Sequence, residues 1–154
     1  MKQIGYYTGP IGKMGIVEDE GVITHVYFED ELQDMAVEER PSKLLEEASK
    51  QLGEYFKGDR KEFDLPLKPE GTPFMQSVWK VLQDIPYGET KSYKDIAEAI
   101  GNSKACRAVG LANNRNPIPI FIPCHRVIGA NGKLVGYGGG LHIKEYLLEL
   151  EITN

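Results

Sequence analysis

The chain reads as an α+β protein: a small N-terminal αβ lobe (antiparallel sheet plus helix) packed on a mainly helical C-terminal lobe with a helix-turn-helix and a Pro-Cys-His-Arg segment. Three observations predict it. Residues 1–30 alternate apolar and polar positions, the period of a half-buried strand. From residue 72 onward the apolar positions mostly recur at helical spacing. Between the two patterns lies Leu65-Pro66-Leu67-Lys68-Pro69-Glu70-Gly71, whose prolines and glycine mark a linker. The boundary is drawn as 1–68 and 69–154.

Ile4 to Tyr7, Met14 to Val17 and Val22 to Phe28 are the expected strands, and their short connections require antiparallel pairing. Glu29 to Arg40 is acidic and weakly patterned, the composition of a loop. Ser42 is placed to cap a helix whose stripe is Leu45, Ala48, Leu52 and Phe56, and Gly58 ends it. This first lobe holds no chemical constellation, and a lone His25 in a strand has no partner to make it a site.

In the second lobe Thr72-Pro73 opens a helix that buries Phe74, Val78, Val81, Leu82 and Ile85, with Trp79 at its border. Ser92-Tyr93-Lys94-Asp95 is a capping-box pattern for a helix over 93–100. Gly101 breaks it, and Asn102-Ser103 caps another from Lys104 to about Asn113. Two short helices across a glycine turn make a helix-turn-helix pattern. The second is unusual in combining small residues (Ala105, Ala108, Gly110) with one long Arg107. Small side chains let a helix lie close to a surface into which an arginine projects, although an exposed salt-bridge partner is the commoner fate of such an arginine. The last helix runs from Leu141 to Leu150 with Ile143, Tyr146, Leu147 and Leu150 as its inner face, leaving Glu145 outside.

Composition narrows the function. The 154 residues are 41% hydrophobic and 27% charged, as in a water-soluble globular domain. No apolar run approaches membrane-spanning length and no signal-peptide pattern opens the chain, so a cytoplasmic protein without membrane contact is expected. The two cysteines, Cys106 and Cys124, form no metal-ligand spacing, and neither metal nor cofactor is expected. The net charge of −5 is unevenly spread. Residues 1–71 carry nine basic against sixteen acidic side chains, whereas residues 91–133 carry seven basic against two acidic. A polyanion-binding face has that distribution, and so does a solvated surface of mixed charge.

Within the basic stretch, Pro123-Cys124-His125-Arg126 sets a thiol, an imidazole and a guanidinium side by side, after a proline-punctuated apolar run. Prolines hold the backbone and adjacent basic groups convert a thiol to its reactive thiolate. An unpaired cysteine is otherwise a small buried hydrophobe.

The segment from Asn116 to Val127 (Asn-Pro-Ile-Pro-Ile-Phe-Ile-Pro-Cys-His-Arg-Val) resembles the active-site signature of the O6-alkylguanine-DNA alkyltransferases. Four further blocks follow the family's order and spacing: Gly88-Glu89 with Ser92-Tyr93, Ala105 to Gly110, Tyr137 to Gly140, and Lys144 to Leu148. The resemblance implies irreversible, single-turnover transfer of an alkyl group from O6 of a guanine in duplex DNA to Cys124, with O4-alkylthymine as a further candidate lesion. It implies that His125 deprotonates Cys124 through a water and that Glu145 orients His125. Tyr93 would help extrude the base and protonate it. Arg107 would fill the gap in the base stack, on a helix set in the minor groove with Ser103, Lys104, Ala105 and Ala108 against DNA. Asn116 would brace the site, and groups at Val127, Tyr137 and Gly138 would bind the guanine. The protein is expected to act as a monomer. Where some members carry serine this chain has Gly138, and Cys106 adds a second thiol beside Arg107. A non-enzymatic sensor of alkylated DNA and a turnover cysteine hydrolase are the competing readings. The presence of Cys124 opposes the first, and the DNA-contacting set opposes the second.

Overall fold

The computed structural model describes residues 2–33, 35, 39–129, 131–132, 134, 136–137 and 139–154. The chain divides into two compact units, Met1–Pro69 and Glu70–Asn154.

In the first unit, alternation along the chain produces a three-stranded antiparallel sheet in the order β1 (Lys2–Gly9), β2 (Gly12–Asp19), β3 (Val22–Phe28). The β2–β3 connection is the two-residue turn Glu20-Gly21 with φ of 52° and 81°, the left-handed pair that matches strand twist in a tight hairpin. α1 (Lys43–Phe56) begins where Ser42 accepts a hydrogen bond from the Leu45 N–H at 3.1 Å, and it buries Leu45, Ala48, Leu52, Tyr55 and Phe56. Leu45 lies against Gly5, on the sheet face that also carries Ile16; Leu32 covers the opposite face at Gly15.

The expected linker is partly built into this unit. Ile23 N–H donates to the Pro66 carbonyl and Lys68 N–H donates to the Ile23 carbonyl, each at 2.8 Å, so Leu67 pairs with the exposed edge of β3. Hydrogen-bonding that edge satisfies backbone groups the sequence pattern left unassigned.

The second unit is helical. α2 (Pro73–Leu82) starts at Thr72, whose hydroxyl accepts from Met75 N–H, and Trp79 sits at its centre rather than its border, 1% exposed. The indole N–H donates to the Ala112 carbonyl at 2.9 Å. α3 (Tyr93–Ala99) carries the reciprocal Ser92/Asp95 capping box. α4 (Cys106–Asn114) starts two residues later than the sequence predicts, and Ser103 is not its cap. Residues after Gly101 are taken up by a turn in which Ala105 N–H donates to the Asn102 carbonyl, so Ala105 occupies the cap position with no side chain able to serve it. α5 (Leu141–Thr153) closes the chain.

Two short strands, β4 (Lys91–Ser92) and β5 (Val127–Ile128), pair in parallel. This pairing places the start of α3 beside the Cys-His segment. Ile120, just before that segment, has φ of 74°. A β-branched residue in the left-handed region is strained by about 1–3 kcal/mol, and Ile118, Ile120 and Ile122, each at most 1% exposed, anchor the loop that holds it there. Among the described residues no helix is long and apolar enough to cross a membrane.

Candidate active site

Cys124, His125 and Arg126 form one turn of 3-10 helix after Pro123, and all three are buried. Helical geometry over three residues points successive side chains in different directions, yet His125 and Arg126 converge on one carboxylate. The imidazole Nε2 of His125 lies 2.7 Å from Oε2 of Glu151 on α5. Arg126 meets the same carboxylate with Nε at 2.8 Å and Nη2 at 3.1 Å, and its Nη1 donates to the Ile85 carbonyl at 2.7 Å. The guanidinium beside the thiol in sequence is thus committed to Glu151.

The cation that faces Cys124 comes from α5. Lys144 is 0% exposed; its Nζ donates to the Val127 carbonyl at 2.6 Å and to the Gly136 carbonyl at 3.5 Å. Gly136 has φ of 56°, and a Cβ there would meet the Asn114 side-chain amide at 2.8 Å. The dihedral favours glycine at 136, while the Asn114 amide is the far end of an exposed side chain that can turn aside.

Glu145, expected to orient His125, does not do so. It is exposed on α5 with no hydrogen bond or ion pair among the described residues. The helix is rotated from the expected register: Ile143, Lys144, Leu147 and Glu151 face inward, while Tyr146 is 38% exposed. Burial of two ionic groups on this face is made possible by Arg126, His125 and the backbone carbonyls that receive them. Sequence reasoning missed Glu151, Lys144 and Asn113; only the spacing of Lys144, Leu147 and Glu151, one helical face, could have pointed to the first two.

Electrostatics define the resting state. Burial pushes the Cys124 thiol up to about 11, against the lowering effects of an Asn116 hydrogen bond, the Lys144 charge and a Tyr137 hydrogen bond. Burial also pushes His125 below its ordinary value, outweighing the Glu151 carboxylate that raises it. For Glu151, burial would raise the carboxyl, but His125 and Arg126 together hold it at about 2. At neutral pH the site therefore holds a thiol, a neutral imidazole and an ionised glutamate. An ionised carboxylate only accepts, so Nε2 carries the imidazole hydrogen and Nδ1 presents a lone pair.

That Nδ1 is buried and has no hydrogen-bond partner among the described residues, and the same is true of Asn113 Oδ1. Leaving such an acceptor unpaired costs about 1–3 kcal/mol. Asn113, on α4, donates its Nδ2 to the Cys124 carbonyl at 3.3 Å. Asn116 donates to the Ile122 carbonyl at 2.8 Å and accepts from Ile118 N–H at 3.0 Å, bracing the apolar run before the turn.

The remaining sequence-selected residues fall into two groups. Tyr93, first in α3, is brought within electrostatic reach of Cys124; burial raises its phenol and the Cys124 charge raises it further. Tyr137 reaches the cysteine through a hydrogen bond, and the Val127 carbonyl already receives Lys144. Arg107 and Ala108 are exposed on α4, preceded by exposed Ser103 and Lys104 and half-buried Ala105. Leu111, 50% exposed, adds an apolar side chain to that surface. Gly138 lies outside the described residues. Among the described residues no three His, Cys, Asp or Glu side chains cluster as a metal site would.

Comparison with known proteins gives the family of the chain. Residues 3–69 match the 6-O-methylguanine DNA methyltransferase ribonuclease-like domain, and residues 73–153 match the DNA binding domain of the same family. The chain is 55% identical over 150 residues to the methylated-DNA–protein-cysteine methyltransferase of Methanosarcina acetivorans, covering 94% of this chain and 95% of that one. It is 49% identical over 160 residues to the constitutive enzyme of that name from Bacillus subtilis, covering 96% of each. Its structure is similar to that of Mycobacterium tuberculosis OGT in complex with DNA, with a TM-score of 0.89 and 46% identity over 99% of this chain and 92% of that one. The chain belongs to the 6-O-methylguanine DNA methyltransferase family.

Proposed function

We infer that this protein repairs DNA by moving the alkyl group of an O6-alkylguanine onto the sulfur of Cys124, in a single irreversible turnover. The observation that carries this reading is the buried thiol followed by His125, an imidazole locked by Glu151 into the tautomer whose Nδ1 lone pair can take a proton. The proton leaves sulfur through a water to Nδ1. The charge-separated pair that results has counterions in place: Lys144 acts on the thiolate, and Glu151 lies against the imidazolium. Sulfur attacks the alkyl carbon, the carbon–O6 bond breaks, and its electron pair stays with the oxygen. Tyr93, beside Cys124, returns a proton to the departing guanine. The product is a thioether with no good leaving group, so the protein is spent.

Cys124 is only 4% exposed, and a base stacked in a duplex cannot reach it. The guanine must leave the stack, at a cost of a few kcal/mol that is least for a weakly paired base. In this reading Arg107, exposed on α4 beside Ala108, fills the gap as inserted side chains do. Asn116, Val127 and Tyr137 are, in the same reading, the residues that receive the guanine.

Intact mass after incubation with duplex containing O6-methylguanine tests the reading. One added methylene per protein, located on the Cys124 peptide, is expected at saturation. A mass that stays constant while lesions disappear in excess of protein would identify a turnover hydrolase. Constant mass with intact lesions would identify a sensor.

A further inference from the structure

We propose that Asn113 is a positioning residue that holds the water carrying the Cys124 proton to His125. The inference rests on the transfer reading above and adds a residue to it.

The geometry starts from the carboxamide. Asn113 is 1% exposed, and its Nδ2 donates to the Cys124 carbonyl. Reversing the amide would set Oδ1 against that carbonyl oxygen, so the contact fixes which end is which. The Oδ1 acceptor is therefore held one amide width from the Nδ2 that contacts Cys124, buried and without a donor among the described residues. His125, the next residue in the chain, has Nε2 committed to Glu151 and presents Nδ1, a second buried acceptor without a donor among the described residues. Two unpaired acceptors thus belong to side chains that adjoin Cys124, one through a hydrogen bond to its carbonyl and one through the next peptide.

The Cys124 thiol has one hydrogen and cannot satisfy both. A direct S–H to Nδ1 contact would leave Oδ1 unpaired. A water has two hydrogens: it donates one to Asn113 Oδ1 and one to His125 Nδ1, and turns its lone pairs toward the remaining donor, the thiol. Buried waters typically make about three hydrogen bonds of this kind. The same arrangement serves the proton step. As the thiol hydrogen moves to the water, the hydrogen facing Nδ1 moves to the imidazole. The bond to Oδ1 keeps the water oriented and is neither made nor broken. Because Asn113 belongs to α4, the helix that carries Arg107, the water is held by the element that the transfer reading sets against DNA.

A double-mutant cycle tests this. Asn113→Leu keeps the side chain's approximate shape and removes both polar ends. At saturating lesion duplex its transfer rate should fall about tenfold, with duplex affinity unchanged, since general-base assistance is worth far more than the alignment of one water. In a His125→Gln background, where no base receives the proton, the same substitution should cost roughly twofold or less. An equal loss in both backgrounds would overturn the proposal and leave Asn113 as an anchor of α4 on the Cys124 carbonyl; so would no loss in either. Should Asn113→Leu fail to fold, a high-resolution crystal structure of the unsubstituted protein decides the matter. A water within hydrogen-bond distance of both Asn113 Oδ1 and His125 Nδ1 supports the proposal, and its absence overturns it. Failure of the transfer reading itself shows separately, as unsubstituted protein whose Cys124 gains no methylene.

Discussion

At the Cys124–Arg126 turn and the inner face of α5, His125, Arg126, Lys144 and Glu151 are each at most 7% exposed, and each has a polar partner within 3.1 Å. On α4, in the same unit, Arg107 stands exposed next to Ala108 and Leu111, and forms no hydrogen bond or ion pair among the described residues. The first region keeps its charges out of water and meets each with a carboxylate, a guanidinium or a backbone carbonyl from within the protein. The second keeps its charge hydrated. Desolvated charges can be set in advance around a reaction, at the expense of rigidity. Solvated ones contribute little to the fold and act when a partner arrives. Substitutions in the first region should damage chemistry and stability together, whereas those in the second should damage only the encounter with duplex.

The largest effect belongs to the sulfur. Cys124→Ala should abolish transfer while leaving binding to alkylated duplex in place, because the alanine keeps the turn and every ionic contact around it. Gel shift and intact mass on one sample check both halves. Residual transfer would move the acceptor to Cys106, the half-buried thiol at the start of α4.

Glu151→Gln comes next, and it separates the buried cluster from the carboxylate first expected to serve it. The amide can neither neutralise Arg126 nor fix the His125 tautomer. Transfer should slow roughly a hundredfold, and unfolding free energy should drop by on the order of 3 kcal/mol, as when one partner of a buried ion pair is removed. Glu145→Gln, one turn and more away on the exposed side of α5, should change neither. If the two variants behaved alike, the inward face of α5 would be wrongly assigned.

The cluster should also show in acid. Glu151 titrates near 2 when folded against an ordinary 4.5, so the unfolded chain takes up its proton first as pH falls. The stability this carboxylate supplies is complete above about 4.5 and is lost on descent toward 2, in all about 3 kcal/mol. His125, depressed by burial, acts in the same direction: below its ordinary 6.5 the unfolded chain gains a proton that the folded one resists. Urea midpoints should therefore fall monotonically from near-neutral pH downward, and Glu151→Gln should remove the lower part of that slope.

The sequence revealed these two regions unequally. Strand alternation and the Ser42, Thr72 and Ser92 caps are local signals, and the elements appear where those residues place them. Arg107 was legible because a long cation among alanines and glycine is odd in any register. The inner face of α5 was not. Tyr146 and Leu150 look more apolar than Lys144 and Glu151, and only the partners supplied by a turn some two dozen residues upstream reverse that preference. Likewise the two-residue β4–β5 pair is too short for any periodicity, yet it brings Tyr93 toward Cys124. Buried polar residues are chosen by their tertiary partners, and those are what a linear pattern omits.

Arg107→Ala should have the mildest consequence, and it probes the exposed region alone. No described residue depends on that guanidinium, so stability should stay within about 0.5 kcal/mol. Transfer from free O6-alkylguanine, which needs neither extrusion nor a filled stack, should proceed at the unsubstituted rate. Transfer from duplex should slow about tenfold, since a vacated stack loses an inserted side chain worth one to a few kcal/mol. The ratio of the two rates is the measurement, because it cancels any disturbance of the acceptor pocket. Placing the lesion opposite a mismatched base, already easier to extrude, should narrow that ratio if Arg107 acts on the extruded state. Equal slowing of free base and duplex would mean that the exposed helix reaches the chemistry after all, and the contrast between the two regions would collapse.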